Sequence, residues 1–217
     1  MRDINLYNYF RSSASYRVRI ALNIKGLDYK YIPVHLTRDG GEQFKDAYKS
    51  INDYSLVPTL ETGEFKLHQS LAIMEYLEEV YPEPPIIPGN AEQKVYIRSI
   101  AMDIACEIHP LNNLRVLKFI TSQLGLSEEQ KLMWVHRWIN LGFEGLESIL
   151  ANSPDRGKYC FGDSPTMADC CLVPQIFNAR RFKVDMDKYP VLSSIETESR
   201  DHKAFIDALP ENQPDAE

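Results

Sequence analysis

Residues 11 to 19 read Arg-Ser-Ser-Ala-Ser-Tyr-Arg-Val-Arg, three serines and three arginines in nine positions. The stretch follows Ile4-Asn5-Leu6-Tyr7-Asn8-Tyr9, whose alternation and aromatic content predict a strand. Behind it, Tyr16, Ile20 and Ile24 share a helical face until Gly26 stops the helix. Ser12 and Ser13 thus fall where a helix begins. A hydroxyl there can cap the helix or turn toward a bound group. Free backbone N–H groups and the positive end of the helix dipole favour an anion at the same place. The bland alternative is a serine N-cap beside solvated arginines. Gln69-Ser70 opens a second apolar periodicity in the same way. Ser70 is expected as its N-cap, and the pair is suited to holding a carboxylate and an ammonium group.

These residues need elements to position them. Residues 29–36 read as a second strand, parallel to the first because a helix intervenes. Residues 37–41 read as a loop and 42–49 as a short helix carrying Gln43. Residues 55–61 form a strand entered through Pro58, Thr62-Gly63-Glu64 a turn, and Phe65-Lys66-Leu67 the returning strand. A cis bond at Val57-Pro58 would turn the backbone of Val57 outward to pair with an extended peptide, but only about 5–6% of X–Pro bonds in folded proteins are cis. Leu71 to Val80 is a helix. Four prolines within 82–90 make a stiff linker, so the expected organisation is an α/β domain over 1–81, the linker, and an all-helical domain over 91–217. There a long periodicity from Ala91 to about Gln123 is bent by Pro110. Ser127-Glu128-Glu129-Gln130 and Thr166-Met167-Ala168-Asp169 are capping boxes, the second making Asp169 structural. Further helices cover about 191–198 and 201–209, and the last residues look frayed.

The chain has 217 residues, 44% apolar and 25% charged, as ordinary soluble globular proteins do. Its net charge of −7 argues against nonspecific nucleic-acid binding. No apolar run reaches membrane-spanning length, and the N-terminus enters a strand with no signal-peptide pattern. Cys106, Cys160, Cys170 and Cys171 include no C-x-x-C pair, which argues against zinc and dithiol chemistry. All four are expected reduced and mostly packed, in a cytoplasmic protein.

A β-α-β-(α)-β-β-α domain with a proline before its third strand, followed by helices, resembles the thioredoxin-like fold of glutathione transferases. The stretch from Tyr9 through Ser12-Ser13 and Arg17-Val18-Arg19-Ile20-Ala21-Leu22 resembles the signature of the zeta class, the maleylacetoacetate isomerase family. Asp39-Gly40-Gly41-Glu42-Gln43-Phe44, Val57-Pro58-Thr59-Leu60 and His68-Gln69-Ser70-Leu71-Ala72-Ile73 continue it, as do Cys171-Leu172-Val173-Pro174-Gln175 and Asn178-Ala179-Arg180-Arg181-Phe182. The resemblance implies glutathione as cofactor, with Ser12 polarising its thiol and Ser13 and Arg17 beside it. It implies that Val57 and Pro58 hold the cysteinyl backbone, that Gln69 and Ser70 hold the γ-glutamyl end, and that Gln43 belongs to the same set. Asp103, His109, Asn113 and Arg115 would approach glutathione from the helical domain, Asp103 reaching that of a partner protomer in a homodimer. Arg181 and Arg11 would meet the carboxylates of a small diacid.

The implied reaction is cis-trans isomerisation of maleylacetoacetate to fumarylacetoacetate, in tyrosine and phenylalanine breakdown. A thiolate adds to the double bond, the single bond rotates, and the thiolate leaves. Maleylpyruvate isomerisation, or dehalogenation of small α-halo acids, is a rival in the same pocket, and a non-catalytic glutathione-binding protein is a rival of another kind. Ala14 stands where the family often has cysteine, so chemistry that depends on that thiol should be absent while the role given to Ser12 stands; Asp53 stands where proline is usual, His109 where glutamine is common and Arg115 where serine is common, and these three departures bear on substrate preference. Tyr7 and Tyr9 resemble the thiol-binding tyrosines of other classes, but the strand pattern already explains both as packing.

Overall fold

A computed structural model describes residues 3–217. The chain divides into two compact units. One runs to Ile86 and takes in Arg200–Glu217, and the other is Ile87–Ser199.

The first unit is built on a four-stranded sheet in the order β2-β1-β3-β4. Strand β1 (Ile4–Asn8) leads through a short turn into helix α1 (Ser13–Ile24), and β2 (Lys30–Pro33) returns parallel to β1. A 3-10 turn over Glu42–Phe44 and helix α2 (Asp46–Lys49) replace the single short helix expected from 42 to 49. Strands β3 (Thr59–Thr62) and β4 (Phe65–His68) form an antiparallel hairpin, with β3 also antiparallel to β1. Helix α3 (Ser70–Val80) completes the unit. Helix α1 is enclosed nearly all round, with Tyr16, Val18, Ile20, Ala21 and Leu22 buried, because it packs against both α3 and a helix from the far end of the chain.

That helix corrects the expected boundary. The last α-helix among the described residues, α9 (Lys203–Ala208), packs on α1 and belongs to the first unit. The final residues are not frayed. Pro210–Asn212 form a 3-10 turn, and Gln213 Nε2 donates to Asp207 O at 2.8 Å and Leu209 O at 2.7 Å. Strand β3 starts later than the pattern implied because side chains intervene. Tyr48 Oη and Asn52 Nδ2 both donate to Leu56 O, at 2.6 and 2.9 Å, so the chain before Thr59 is a pinned loop and not a strand.

The second unit is helical: α4 (Ala91–Met102), α5 (Leu114–Ser122), α6 (Glu128–Asn152), α7 (Met167–Arg181) and α8 (Pro190–Arg200), whose last residue falls in the first unit. The long periodicity from Ala91 breaks earlier than Pro110, in a π-helical turn over Asp103–Ile108 followed by a 3-10 turn over His109–Asn112. Pro110 lacks the N–H that a continuing α-helix needs, so the chain takes tighter turns around it. The expected capping box at Ser127 is formed, with Ser127 N–H donating to Gln130 Oε1 at 2.8 Å and Gln130 N–H to Ser127 Oγ at 3.2 Å. Asp169 is fully buried and accepts from Cys160 N–H and Thr166 N–H, both at 2.8 Å, and from the Thr166 hydroxyl at 2.9 Å. Cys160, Cys170 and Cys171 are buried and Cys106 is exposed, all as free thiols. Among the described residues, no helix is long and apolar enough to cross a membrane.

Candidate functional site

Ser12 is the N-cap of α1. Its Oγ accepts from Ser15 N–H at 3.2 Å, and its own N–H donates to Tyr9 O at 3.0 Å. A hydroxyl has two acceptor lone pairs and one proton. Capping uses one lone pair, so the Ser12 proton remains available to a second acceptor. Capping and binding are therefore compatible at one atom. Ser13 is buried as the first residue of α1, and no acidic side chain lies in that first turn to oppose an anion.

Arg17 and Arg19 do not follow the solvated alternative. Arg17 is 2% exposed, and its Nη1 donates to Ser70 Oγ at 3.2 Å. This bond brings α1 and the start of α3 together. It also corrects the expectation that Ser70 caps α3. The N-cap is Gln69, whose carbonyl accepts from Ile73 N–H at 2.9 Å, and Ser70 is the first helical residue. Gln69 has φ 69°, in the left-handed region that glycine favours. Such strain in a non-glycine residue clusters at binding sites. Arg11 is exposed and held in place: its Nη2 donates to Tyr9 Oη at 3.0 Å, and its guanidinium lies 5.2 Å from the Phe10 ring centroid.

Gln43 is buried and donates through Nε2 to Leu36 O at 3.3 Å, while its Oε1 has no hydrogen-bond partner among the described residues. A buried acceptor without a donor calls for one from outside the chain. The Val57–Pro58 bond is cis. Two residues that the sequence reading did not single out hold this segment. Besides sharing Leu56 O, Tyr48 Oη and Asn52 Nδ2 each lie 3.0 Å from Thr59 Oγ1, so both flanks of Val57-Pro58 are tied down. Tyr7 is engaged elsewhere, donating to Glu61 at 3.4 Å, and burial and that carboxylate raise its pKa. Tyr9 packs edge-on against Phe10 and His35.

The other five expected residues lie in the second unit. His109, Asn113 and Arg115 come together where the 3-10 turn meets α5. Asn113 is the N-cap of α5, accepting from Arg115 N–H at 3.1 Å, and its Nδ2 lies 3.5 Å from His109 Nε2. Asp103 opens the π-helical turn, where burial first, and then Glu107, raises its carboxyl pKa. At the end of α7 the neighbouring arginines differ. Arg180 is committed to Glu196, Nε to Oε1 at 2.9 Å, whereas exposed Arg181 stacks 4.8 Å over the Phe182 ring.

Known proteins match this construction. Residues 6–85 fit the family model of the glutathione S-transferase N-terminal domain, and residues 133–194 that of the C-terminal domain. The chain belongs to the glutathione S-transferase family, in the branch holding the zeta class and the maleylacetoacetate isomerases. It is 49% identical to a probable maleylacetoacetate isomerase of Vibrio cholerae over the whole of both chains. A structure of a bacterial zeta-class maleyl pyruvate isomerase superposes with a TM-score of 0.95 at 45% identity, covering 98% of this chain and 100% of that one. The maleylacetoacetate isomerase of Methylobacterium extorquens AM1, solved with malonate and glutathione, gives 0.94 at 36% identity, covering 98% and 99%.

Proposed function

We propose that the protein is a glutathione-dependent cis-trans isomerase that converts maleylacetoacetate to fumarylacetoacetate, in tyrosine and phenylalanine breakdown. The observation that carries this is Ser12, an N-cap whose hydroxyl proton is available, in a chain similar from end to end to maleylacetoacetate isomerases. The residues of the first unit fit glutathione, which has two carboxylates, an ammonium group, two amides and a thiol. The orphaned Gln43 Oε1 suits one of its N–H donors, and Arg17, Ser70 and two helix N-termini suit its carboxylates. When bound, glutathione supplies a thiolate that adds to a cis double bond and departs after the bond has rotated.

The chain's own residues make that chemistry accessible. A free thiol has a pKa of about 8.5 and is a few per cent ionised at neutral pH. The Ser12 hydroxyl donates to the thiolate, and the first turn of α1, with Ser13, adds its dipole, so both favour ionisation. Val57, beside Pro58, offers its backbone to the cysteinyl amide, while Gln69 and Ser70 receive the γ-glutamyl end. Arg11 and Arg181 orient the carboxylates of the diacid, and a nearby donor steadies the charge that develops on the substrate's carbonyl oxygen. His109, Asn113 and Arg115 are the second unit's candidates for binding glutathione. The protein assembles as a homodimer, in which Asp103 reaches toward glutathione held by the partner protomer. Exposed Tyr54 and Phe65 supply apolar surface for such an interface. Four free cysteines suit a cytoplasmic setting.

Maleylpyruvate is the second candidate substrate, supported by the 0.95 superposition on a maleyl pyruvate isomerase. The deciding experiment is turnover of both compounds with and without glutathione. Glutathione-dependent preference for maleylacetoacetate is expected. Preference for maleylpyruvate moves the substrate and keeps the mechanism, and turnover of neither refutes the proposal.

A further inference from the structure

The last residues of the chain reach the turn that delivers Ser12. We propose that Asp215 and Arg19 form a clasp on Phe10 that positions Ser12 and Arg11, making both clasp members positioning residues for the reaction. This rests on the reading of Ser12 as the thiol donor.

Phe10 is the middle of the turn from β1 to α1. Its N–H donates to Asp215 Oδ2 at 3.2 Å, and its carbonyl accepts from Arg19 Nη2 at 2.9 Å. Both of its peptide groups are therefore held from outside the turn. Arg19 Nη1 also donates to Asn8 Oδ1 at 3.0 Å and Tyr9 O at 3.4 Å, the same carbonyl that accepts from Ser12 N–H. Arg19 Nε and Nη2 each donate to Ala208 O at 3.1 Å, at the C-terminal end of α9, where the helix dipole favours a cation. Arg19 is completely buried, so it fixes these groups with little freedom to adjust.

Asp215 is itself anchored. Tyr31 Oη donates to its Oδ1, and its charge is favourable to the buried guanidinium of Arg19. Gln213 ties the tail to α9, and beyond Asp215 the Glu217 carboxylate pairs with His35 at 3.1 Å and Arg38 at 2.7 Å. A continuous set of bonds thus runs from α9 through Gln213 and Asp215 to Phe10 and Ser12. Phe10 also carries the stacked Arg11, so one movement displaces both the thiol donor and a candidate carboxylate ligand. Catalytic groups displaced by about 1 Å can lose on the order of 100-fold in rate.

The test compares wild type with Asp215→Ala, Asp215→Asn and Gln213→Ala. Three quantities are read: amide hydrogen exchange of residues 9–12 in the ligand-free protein, the ultraviolet titration of bound glutathione thiolate, and kcat against KM for glutathione. Asp215→Ala is expected to speed exchange at 10–12, raise the bound thiol pKa by about one unit and lower kcat roughly tenfold, with KM within about threefold. Asp215→Asn, which keeps an oxygen for Phe10 N–H, is expected to restore most of this. Unchanged exchange and thiol pKa in Asp215→Ala overturn the clasp, as does equal loss in Ala and Asn. Should Asp215→Ala not fold, Gln213→Ala loosens the tail without touching the turn. Faster exchange at 10–12 then supports the clasp, and wild-type exchange overturns it. Absence of thiolate absorbance in the wild type would refute the glutathione reading alone, because the exchange measurement needs no ligand.

Discussion

Substituting Ser12 separates two roles that one oxygen combines. As N-cap it accepts from Ser15 N–H, and replacing such a cap by alanine costs about 1 kcal/mol, while glycine costs only a few tenths. In a chain of this size 1 kcal/mol lowers the melting temperature by about 2–4 °C. As donor to a thiolate, the same hydroxyl makes a charge-assisted hydrogen bond of about 1.5–3 kcal/mol. At about 1.4 kcal/mol per pKa unit, its loss raises the thiol pKa by about 1–2 units. Thiolate at neutral pH then falls by about 10- to 100-fold. Part of that returns, because a more basic thiolate is the better nucleophile with a Brønsted coefficient of about 0.4–0.5, leaving a net loss of roughly 3- to 15-fold. The assay is kcat across pH with Ser12→Ala and Ser12→Gly, beside thermal melts. Both variants should lose turnover equally and recover it at higher pH, but only Ser12→Ala should melt measurably lower. Wild-type turnover and pH profile in Ser12→Gly would refute the donor role. Equal melting of the two variants would refute the cap.

Three further outcomes follow from separate contacts. Arg181→Met should raise KM for the diacid by about tenfold or more and leave KM for glutathione unchanged, since a carboxylate bond to an arginine contributes about 1.5–3 kcal/mol; equal changes in both constants would remove Arg181 from the diacid site. Lys25 Nζ is fully buried and donates to Glu78 at 2.8 Å, Tyr81 O at 2.7 Å and Pro84 O at 3.1 Å, so Glu78→Ala strands a buried charge and should cost about 3–5 kcal/mol in urea unfolding, against less than about 1 kcal/mol for a dispensable surface pair. Burial raises the Asp169 carboxyl above its usual 3.8 despite its hydrogen bonds, so its contribution to stability is fully present below 3.8 and is lost as pH rises through the raised value. The stability difference between wild type and Asp169→Asn should therefore shrink as pH rises above the usual 3.8, and a difference that widened would reverse the sign of that shift.

Much of the local structure around the candidate site was legible because it depends on near neighbours. The strand before Ser12, the helix after it and both capping boxes depend on neighbours within a few residues, and their residue types announce them. The errors come from long-range partners. Ser70 looked like a cap because serine before an apolar run usually is one, but Arg17, 53 residues earlier, takes its hydroxyl. Asp215 carried no signal at all. It sits in a short polar tail that resembles a frayed end, and its partners are Phe10 and Tyr31, 205 and 184 residues away.

The arginines of α1 show what local reading misses and why the fold needs it. Arg17 and Arg19 are two residues apart, so at about 100° per residue they point to nearly opposite sides of the helix. On a surface helix one of the two would be solvated, which is what the pattern alone suggested. Here α1 lies between α3 and α9, and each arginine serves one neighbour: Arg17 donates to Ser70 at the start of α3, Arg19 to Ala208 at the end of α9. Burying two guanidinium groups in one helix is expensive unless their donors are used. The cost is tolerable because the partners are the polar groups a binding site must fix anyway, the turn before Ser12 on one side and the Gln69-Ser70 corner on the other. Helix α1 therefore fills the core with its apolar residues, and with its two buried charges it sets the relative positions of the segments proposed to hold glutathione.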